Sequence, residues 1–530
     1  MSKVATYLQG HIAGEVSTRT DVRKLYADTR SVLTQTPELV ISPRSTNDIR
    51  KVARFAWQLG EKGHSLAITP RGAGSDPTGG SVSGGILLAM RPHLNRIYEY
   101  DQKQQLLRVQ PGATFETINT ALGLHRSRVA LRGACPEATV GGAVGFGELA
   151  QAGSKQWVDR LEVVLDNGDV IQTGQISKRE FNKRRGLQGR EGDIYRGIDT
   201  ILEDHADLIA ELQDDANRNR SGYPGICDVE SRNGSINLTP LFIGSQGTLG
   251  IITEMIIRGE FAPEAHALGV ALFPNGEEAR DAIDDIDVLK PTFINYIDGR
   301  FVAEAVKQGK VYKWLKDVSA EQLATSTLLI VGFDIFKSKR RLQQLKKLTK
   351  RLSRFDCSYT TSETDDVESM LEIVDYSAMP TEHADHGAPI VVPSFYVPYD
   401  RFEDFMKELA TLEDQLDLPI PFYGEMVSER FTVRPTFSLQ KTADKQKLLK
   451  LIDRLSSLVN GFGGTLVSNG SEGRLLSRFA RGQWEEEYEK MTDEIKALFD
   501  PHGILNPGVK QAVELRSLAS ELRHDNHIGF

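Results

Sequence analysis

The stretch Leu241-Phe-Ile-Gly-Ser-Gln-Gly-Thr-Leu-Gly-Ile-Ile-Thr-Glu254 places apolar Leu241, Phe242 and Ile243 ahead of Gly244, Gly247 and Gly250, with Ile251 and Ile252 following. This order predicts a strand, a tight loop and a second strand. Glycine reaches positive φ and carries no side chain, so such a loop can lie flat against a ligand. A segment of the same kind lies far upstream, Pro70-Arg-Gly-Ala-Gly-Ser-Asp-Pro-Thr-Gly-Gly80. Before it, Ala67-Ile-Thr69 reads as a short strand opening into a loop whose successive N–H groups suit an anion such as a diphosphate. Either segment alone also reads as an ordinary turn.

Around these two loops the chain has 530 residues, 40% hydrophobic and 26% charged, enough for more than one core and for two or three domains. The net charge of -9 argues against a nucleic-acid partner. Cys135, Cys227 and Cys357 are far apart and show neither CxxC nor zinc spacing, which points to a reducing compartment. The first residues lack the apolar centre of a signal peptide, and no apolar run is long enough to cross a bilayer, so a cytoplasmic protein is expected.

From the amino terminus, residues 1–36 are polar and mixed and read as an arm. Glu38–Pro43 reads as a strand, Ser45 as a cap for a helix burying Ile49, Val52, Phe55 and Ala56, and Ser65–Thr69 as the strand completing a β-α-β unit. Strands are expected at 85–90 and 106–110, then a helix capped by Thr114. A second glycine-dense segment, Gly133–Gly147, precedes a hairpin turning at Asp166-Asn-Gly168. Residues 178–225 read as charged and irregular, and the first domain closes near 262. Beyond it strands and helices alternate in the manner of a ferredoxin-like α+β domain. A helix at 484–499 and the turn Asp500–Gly508 read as a closing element.

In order and spacing, Pro70–Gly80, Val109–Gly112, Ala138–Gly142, Val158–Gly168, Asn219–Tyr223, Gly244–Glu254 and Asp500–Gly508 resemble the FAD-linked oxidases of the vanillyl-alcohol-oxidase type. The branch nearest in pattern is that of D-lactate, glycolate-subunit and D-2-hydroxyglutarate dehydrogenases. The resemblance implies an α+β protein: an arm over 1–36, a two-subdomain PCMH-type FAD-binding domain over 37–262, a ferredoxin-like α+β cap over 263–482, a closing segment over 483–515 and a tail over 516–530. It implies that Arg71, Gly72, Ala73, Gly74, Ser75 and Asp76 cradle the diphosphate. Pro136, Thr139, Gly141 and Gly142 would run along the cofactor, while Gln246, Gly247, Thr248, Gly250, Ile251 and Ile252 line it from the other subdomain. Tyr223 and Asn506 are added as neighbours of the flavin. No histidine lies in Arg71–Gly80, where covalent relatives often carry one, so the FAD is expected to be dissociable.

The cap departs from that branch. Where the branch has GHxGDGNxH, with two metal-holding histidines, this chain has Gly424–Pro435 with Glu425 and Thr432 at those positions. Where it has Glu-His-Gly-x-Gly-Arg, this chain keeps Gly473 and Arg474 but offers Asn469-Gly470, and Met370–Asp375 lacks the expected carboxylate-gripping arginine. A carboxylate and a hydroxyl in place of two imidazoles make too weak a set for zinc, so no metal is expected. A substrate alcohol must then lose its proton to a side chain. Candidates for base or substrate contact are His383, His386, Glu425, Glu429, Arg430, Arg434 and Glu472. Arg430 and Arg434 alternate along one strand face and suit an anionic substrate, although a solvated sheet face explains them too.

The helix expected over 337–354 carries Leu342, Leu345, Leu348 and Leu352 as an apolar stripe among nine lysines and arginines, including Lys339, Arg340, Lys346, Lys347 and Lys350. It suits either a stripe buried on the cap sheet or peripheral docking on an anionic membrane face. The sequence therefore predicts hydride transfer from a small alcohol or 2-hydroxy acid to flavin, with oxygen, a quinone or a protein as acceptor. Two alternatives stay open: a non-oxidative flavin enzyme of the alkylglycerone-phosphate-synthase type, and a flavin-binding subunit without catalysis.

Overall fold

The computed structural model describes residues 2–129, 135–147, 157–214, 219–262, 266–312, 314–315, 318–362, 370–374, 381–382 and 385–528. Three sheets carry the architecture. In the first, Leu39–Ser42, Ile86–Ala89 and Ile68–Arg71 run parallel and Glu15–Ser17 adds an antiparallel edge. The helix Thr46–Gly60 connects two of these strands; Ser45 caps it by accepting from the Asp48 N–H, and Ile49, Val52, Ala53 and Ala56 are buried. The glycine loop leaves the carboxyl end of Ile68–Arg71, where ligands gather in open α/β sheets.

The second sheet is antiparallel, in the order Ile97–Asp101, Leu106–Val109, Ile251–Arg258, Val158–Val164, Val170–Gln172. Its central strand is the latter part of the decisive stretch, with Ile251, Thr253, Met255 and Ile257 buried in strict alternation. The expected hairpin is present, turning at Gly168 with φ 83°. The expected strand over Leu241–Ile243 is instead the end of a short helix, Thr239–Phe242. Pro240 suits a helical first turn, and a short apolar run fits a helix in the core as well as a strand.

Residues 178–225 are also more ordered than expected, with helices at Lys178–Arg185, Arg190–Asp204 and Ala206–Asp214. Their charges occupy solvent faces, while Ile194, Tyr195, Ile198 and Ile201 form a buried stripe at helical spacing. The closing helix Glu486–Phe499 returns to the same core through Tyr488, Met491, Ile495 and Phe499.

The third sheet has seven antiparallel strands. Ser358–Ser362, Ala267–Phe273, Thr327–Phe333 and Phe293–Asp298 lie in the spatial order fourth, first, third, second, with helices Gly276–Asp287 and Ser338–Leu352 as crossovers. This is the ferredoxin-like arrangement. Phe422–Glu425, Arg430–Val433 and Val392–Tyr396 extend it beyond Phe293–Asp298. The basic helix buries Leu345, Leu348 and Leu352 on this sheet, but Leu342 is exposed and Arg341 is buried in its stead, donating to the Ile335 carbonyl at 2.9 Å.

Candidate functional site

A cleft opens where the first two sheets meet. Arg71, Gly72, Ala73, Gly74, Ser75 and Asp76 line one wall, Gly141 and Gly142 a second, and Gln246, Gly247, Gly250 and Ile252 a third. The two distant glycine loops of the sequence are thus brought face to face. Glycine is required there partly because the loops touch one another. A Cβ on Gly72 would stand 1.9 Å from Thr139 Oγ1, one on Gly141 2.4 Å from Pro111 Cβ, and one on Gly247 2.5 Å from Pro70 Cγ.

Three polar side chains lock the walls. Asp76 Oδ1 accepts from the Thr78 N–H at 2.7 Å and hydroxyl at 2.6 Å, and Oδ2 accepts from the Gly80 N–H at 2.9 Å and Gln246 Nε2 at 2.8 Å. Burial nevertheless raises the Asp76 carboxyl above its ordinary value. Gln246 sits at φ 50°, donates its N–H to the Gly145 carbonyl and accepts the Gly473 N–H on Oε1. Asn506, at φ 43° and wholly buried, donates Nδ2 to both the Gly80 and Gln246 carbonyls at 2.7 Å. Positive φ at a non-glycine residue persists only where the surroundings hold it, as these hydrogen bonds do.

Several residues expected at the cofactor act from behind the wall or alongside it. Thr139 caps the helix Val140–Phe146, accepting from the Gly142 N–H, and Pro136 accepts the Glu116 N–H. Tyr223 is buried in the core of the second sheet and does not line the cleft; its hydroxyl meets Thr248 Oγ1 at 2.7 Å. Ile251 points into the core that the first sheet forms with the helix Thr46–Gly60, because adjacent strand residues face opposite ways, leaving Ile252 for the cleft. Ser81, Met90, Pro111, Gly145 and Phe146 also line the cleft and were not singled out from sequence. Met90 had a readable signal, since it follows the carboxyl end of a parallel strand.

Arg71 does more than border the cleft. Its guanidinium donates to the carbonyls of Tyr26 and Asp28 in the amino-terminal arm and lies over the Tyr26 ring at 5.6 Å. Burial lowers it from its ordinary value to about 10.

The cap approaches the cleft through residues 468–474. A Cβ on Gly470 would meet the Phe146 ring at 2.3 Å, and Ser471 donates to the Gly244 carbonyl at 2.6 Å. Next to Gly470, Asn469 Oδ1 is buried and accepts no hydrogen bond among the described residues. Glu472, wholly buried, accepts from the Gly222 N–H and pairs with Lys510 at 2.8 Å.

The remaining cap candidates are spread out. Glu425 accepts the N–H groups of Ile294, Val427 and Ser428, which binds it into its own hairpin, opposite Arg430. Thr432 donates to the Pro393 carbonyl. Arg434 is wholly buried, donates to the Ala388 carbonyl through Nε and Nη2, and lies over the Phe301 ring at 5.3 Å. His386 is half-buried at the base of the small hairpin that this arginine holds, and His383 lies outside the described residues. Among the described residues no three of His, Cys, Asp and Glu converge as metal ligands. The donors at the branch's metal positions are engaged in protein hydrogen bonds, and the set does not fit a divalent ion.

The cleft, by contrast, fits a dinucleotide. The N–H groups of Gly72, Ala73, Gly74 and Ser75 have no acceptor among the described residues, and Ser81 Oγ is buried there without a partner. Residues 37–174 match the family described as FAD binding domain, and residues 262–509 match FAD linked oxidases, C-terminal domain. The chain belongs to the FAD-linked oxidases. FAD is its cofactor.

Among sequence relatives, D-2-hydroxyglutarate dehydrogenase of Pseudomonas putida is 24% identical across 94% of this chain, and the chain spans 50% of that relative's length. Glycolate oxidase subunit GlcD of Bacillus subtilis is 23% identical, covering 91% of this chain and 90% of the relative. In fold, the chain is similar to 4-ethylphenol oxidase from Gulosibacter chungangensis, with TM-score 0.67 and 15% identity over 97% and 98% of the two chains. An alkyldihydroxyacetonephosphate synthase gives TM-score 0.62 at 15% identity over 96% of this chain and 86% of the other. No helix among the described residues is long and apolar enough to cross a membrane.

Proposed function

We propose that this FAD-linked oxidase removes a hydride from a small 2-hydroxy acid or related alcohol, with dissociable FAD as the hydride acceptor. The observation that carries this reading is the junction at Gly470. There the cap presses Gly470 onto Phe146 of the cleft wall, and the preceding residue, Asn469, carries a buried Oδ1 that accepts no hydrogen bond among the described residues. A buried amide oxygen without a donor is costly, and a substrate hydroxyl would supply one. The hydroxy-acid relatives support the substrate class.

The flavin supplies the hydride acceptor when bound. Asn469 cannot serve as a base, so in this reading it orients the hydroxyl. The proton leaves to a titratable cap group, for which His383 and His386 remain the candidates, with Arg430 facing the anionic end of the substrate. The test is anaerobic mixing of the yellow protein with D- and L-2-hydroxy acids, polyols and sugars. Bleaching of the flavin band by a 2-hydroxy acid, undiminished by a chelator, is expected. Bleaching by none of them would favour a binding role without catalysis, and bleaching restored only by zinc would overturn the metal-free site.

For reoxidation by a membrane quinone, the support is the basic helix. Residues 336–354 contain nine lysines and arginines and no acid, within a chain of net charge -9. Its solvent face carries Lys339, Arg340, Lys346, Lys347 and Lys350, with Phe336 and Leu342 exposed at 62% and 44%. Such a face suits anionic lipid headgroups. Sedimentation with phosphatidylglycerol vesicles but not phosphatidylcholine vesicles is expected. Equal partition to both would remove this part of the reading, leaving oxygen or a soluble protein as acceptor.

A further inference from the structure

The carboxyl-terminal tail lies far from the cleft in sequence but is joined to it by a short series of contacts. Leu522 bridges Leu33, the Thr34 N–H donates to the Glu521 carbonyl at 2.9 Å, and the Arg523 N–H donates to the Val32 carbonyl at 2.9 Å. The tail is thereby zipped onto the amino-terminal arm. Arg523, 5% exposed, then reaches further along the arm: Nη1 donates to the Thr29 carbonyl at 3.1 Å and Nη2 pairs with Asp28 Oδ1. The carbonyl of that same Asp28, together with that of Tyr26, receives the Arg71 guanidinium. One residue past this cluster, the Arg30 N–H donates to the Gly74 carbonyl at 3.0 Å, at a glycine with φ 83°.

The arm therefore grips the cleft loop at two points, the Arg71 side chain and the Gly74 carbonyl, and the tail grips the arm between them. We infer that Arg523 is a positioning residue for FAD: by fixing Asp28 and Thr29 it presents the carbonyls that hold Arg71 and sets the Gly72–Ser75 N–H groups for the diphosphate. This rests on the cleft being the FAD site. The alternative, a clamp that only adds stability, is distinguishable because the contacts end on one loop. Hydrogen bonds from a buried guanidinium to a carboxylate and a carbonyl are stronger than those between neutral groups, so their loss can move a neighbouring loop.

The experiment measures the FAD dissociation constant of the deflavinated 530-residue chain by quenching of flavin fluorescence, alongside the melting temperature of the apoprotein. Arg523→Ala is expected to weaken FAD by about tenfold or more, and Arg523→Lys to restore part of that. The control is Arg300→Ala, which removes a cap ion pair with Asp298 and Glu413 remote from the cleft loops. It is expected to lower the melting temperature and leave FAD affinity within about twofold, well under the tenfold that one 1.4 kcal/mol step represents. If Arg523→Ala does not fold, Asp28→Asn removes the carboxylate and keeps the carbonyl, and a similar loss of affinity is expected. FAD affinity unchanged in the folded Arg523 or Asp28 variant, or lowered equally by Arg300→Ala, would overturn the inference. Wild-type protein that binds no FAD would instead overturn the assignment of the cleft.

Discussion

On the cofactor side of the cleft, Asp76, Gln246 and Asn506 engage every side-chain oxygen and nitrogen in hydrogen bonds that tie one wall to the next. On the cap side, Asn469 Oδ1 is buried without a donor among the described residues, and Glu425 and Thr432 turn their oxygens to their own hairpin and its neighbour. The first surface is a closed network whose glycines admit the ligand's backbone-like approach. On the second, one buried oxygen, that of Asn469, has no partner among the described residues. A satisfied network fixes geometry, and an unsatisfied buried oxygen leaves a hydrogen bond open, which the proposed function assigns to the substrate hydroxyl.

If that contrast is correct, the largest loss should follow from Asn506→Ala. It deprives two buried carbonyls, on Gly80 and Gln246, of their donor, a cost of about 2–4 kcal/mol, with flavin lost on gel filtration. Denaturant unfolding and flavin content check this together.

Gly72→Ala comes next. The new methyl would collide with Thr139 Oγ1, at a cost of about 1–3 kcal/mol. Adding Thr139→Ala removes the obstruction, so the double variant should be less destabilised than the two single changes summed. Simple addition would mean that the two loops do not press on one another.

Asn469→Ala probes the other wall, with the opposite signature. Removing an unsatisfied buried oxygen should leave the melting temperature and FAD affinity unchanged while turnover of the bleaching substrate falls by about tenfold, the scale of one lost hydrogen bond. A fall in stability without a change in turnover would place Asn469 with the structural network instead.

The smallest effect concerns pH. Arg71 is depressed to about 10 by burial, so the stability it contributes to the empty fold is present at high pH and lost as pH falls through about 10. A bound diphosphate favours the charged form, the opposite linkage. FAD affinity should accordingly be level at lower pH and weaken as pH rises through about 10, a trend that Arg71→Met should flatten.

The same division governs what was legible beforehand. The glycine loops at 71–76 and 244–250 could be read because close backbone approach excludes side chains, and that constraint is written in residue type. Ser45 and Thr114 were readable as helix caps for a similar reason, a local hydrogen bond fixed by spacing. The run Leu241–Ile243 reads as a strand, whereas the helix Thr239–Phe242 ends within it, because a short apolar run has no period long enough to separate the two. Tyr223 and Arg434 share a different difficulty: whether a large side chain meets a ligand or a core depends on partners from other elements, Thr248 for Tyr223 and Phe301 for Arg434. Arg523, at the tail, gave no sequence signal of its proximity to Arg71.

The most direct test of the account is titration of FAD into deflavinated protein, followed by denaturation of the complex. One FAD bound per chain and released into the supernatant on denaturation is the predicted result. Absence of binding, or flavin that stays with the denatured polypeptide, would contradict it.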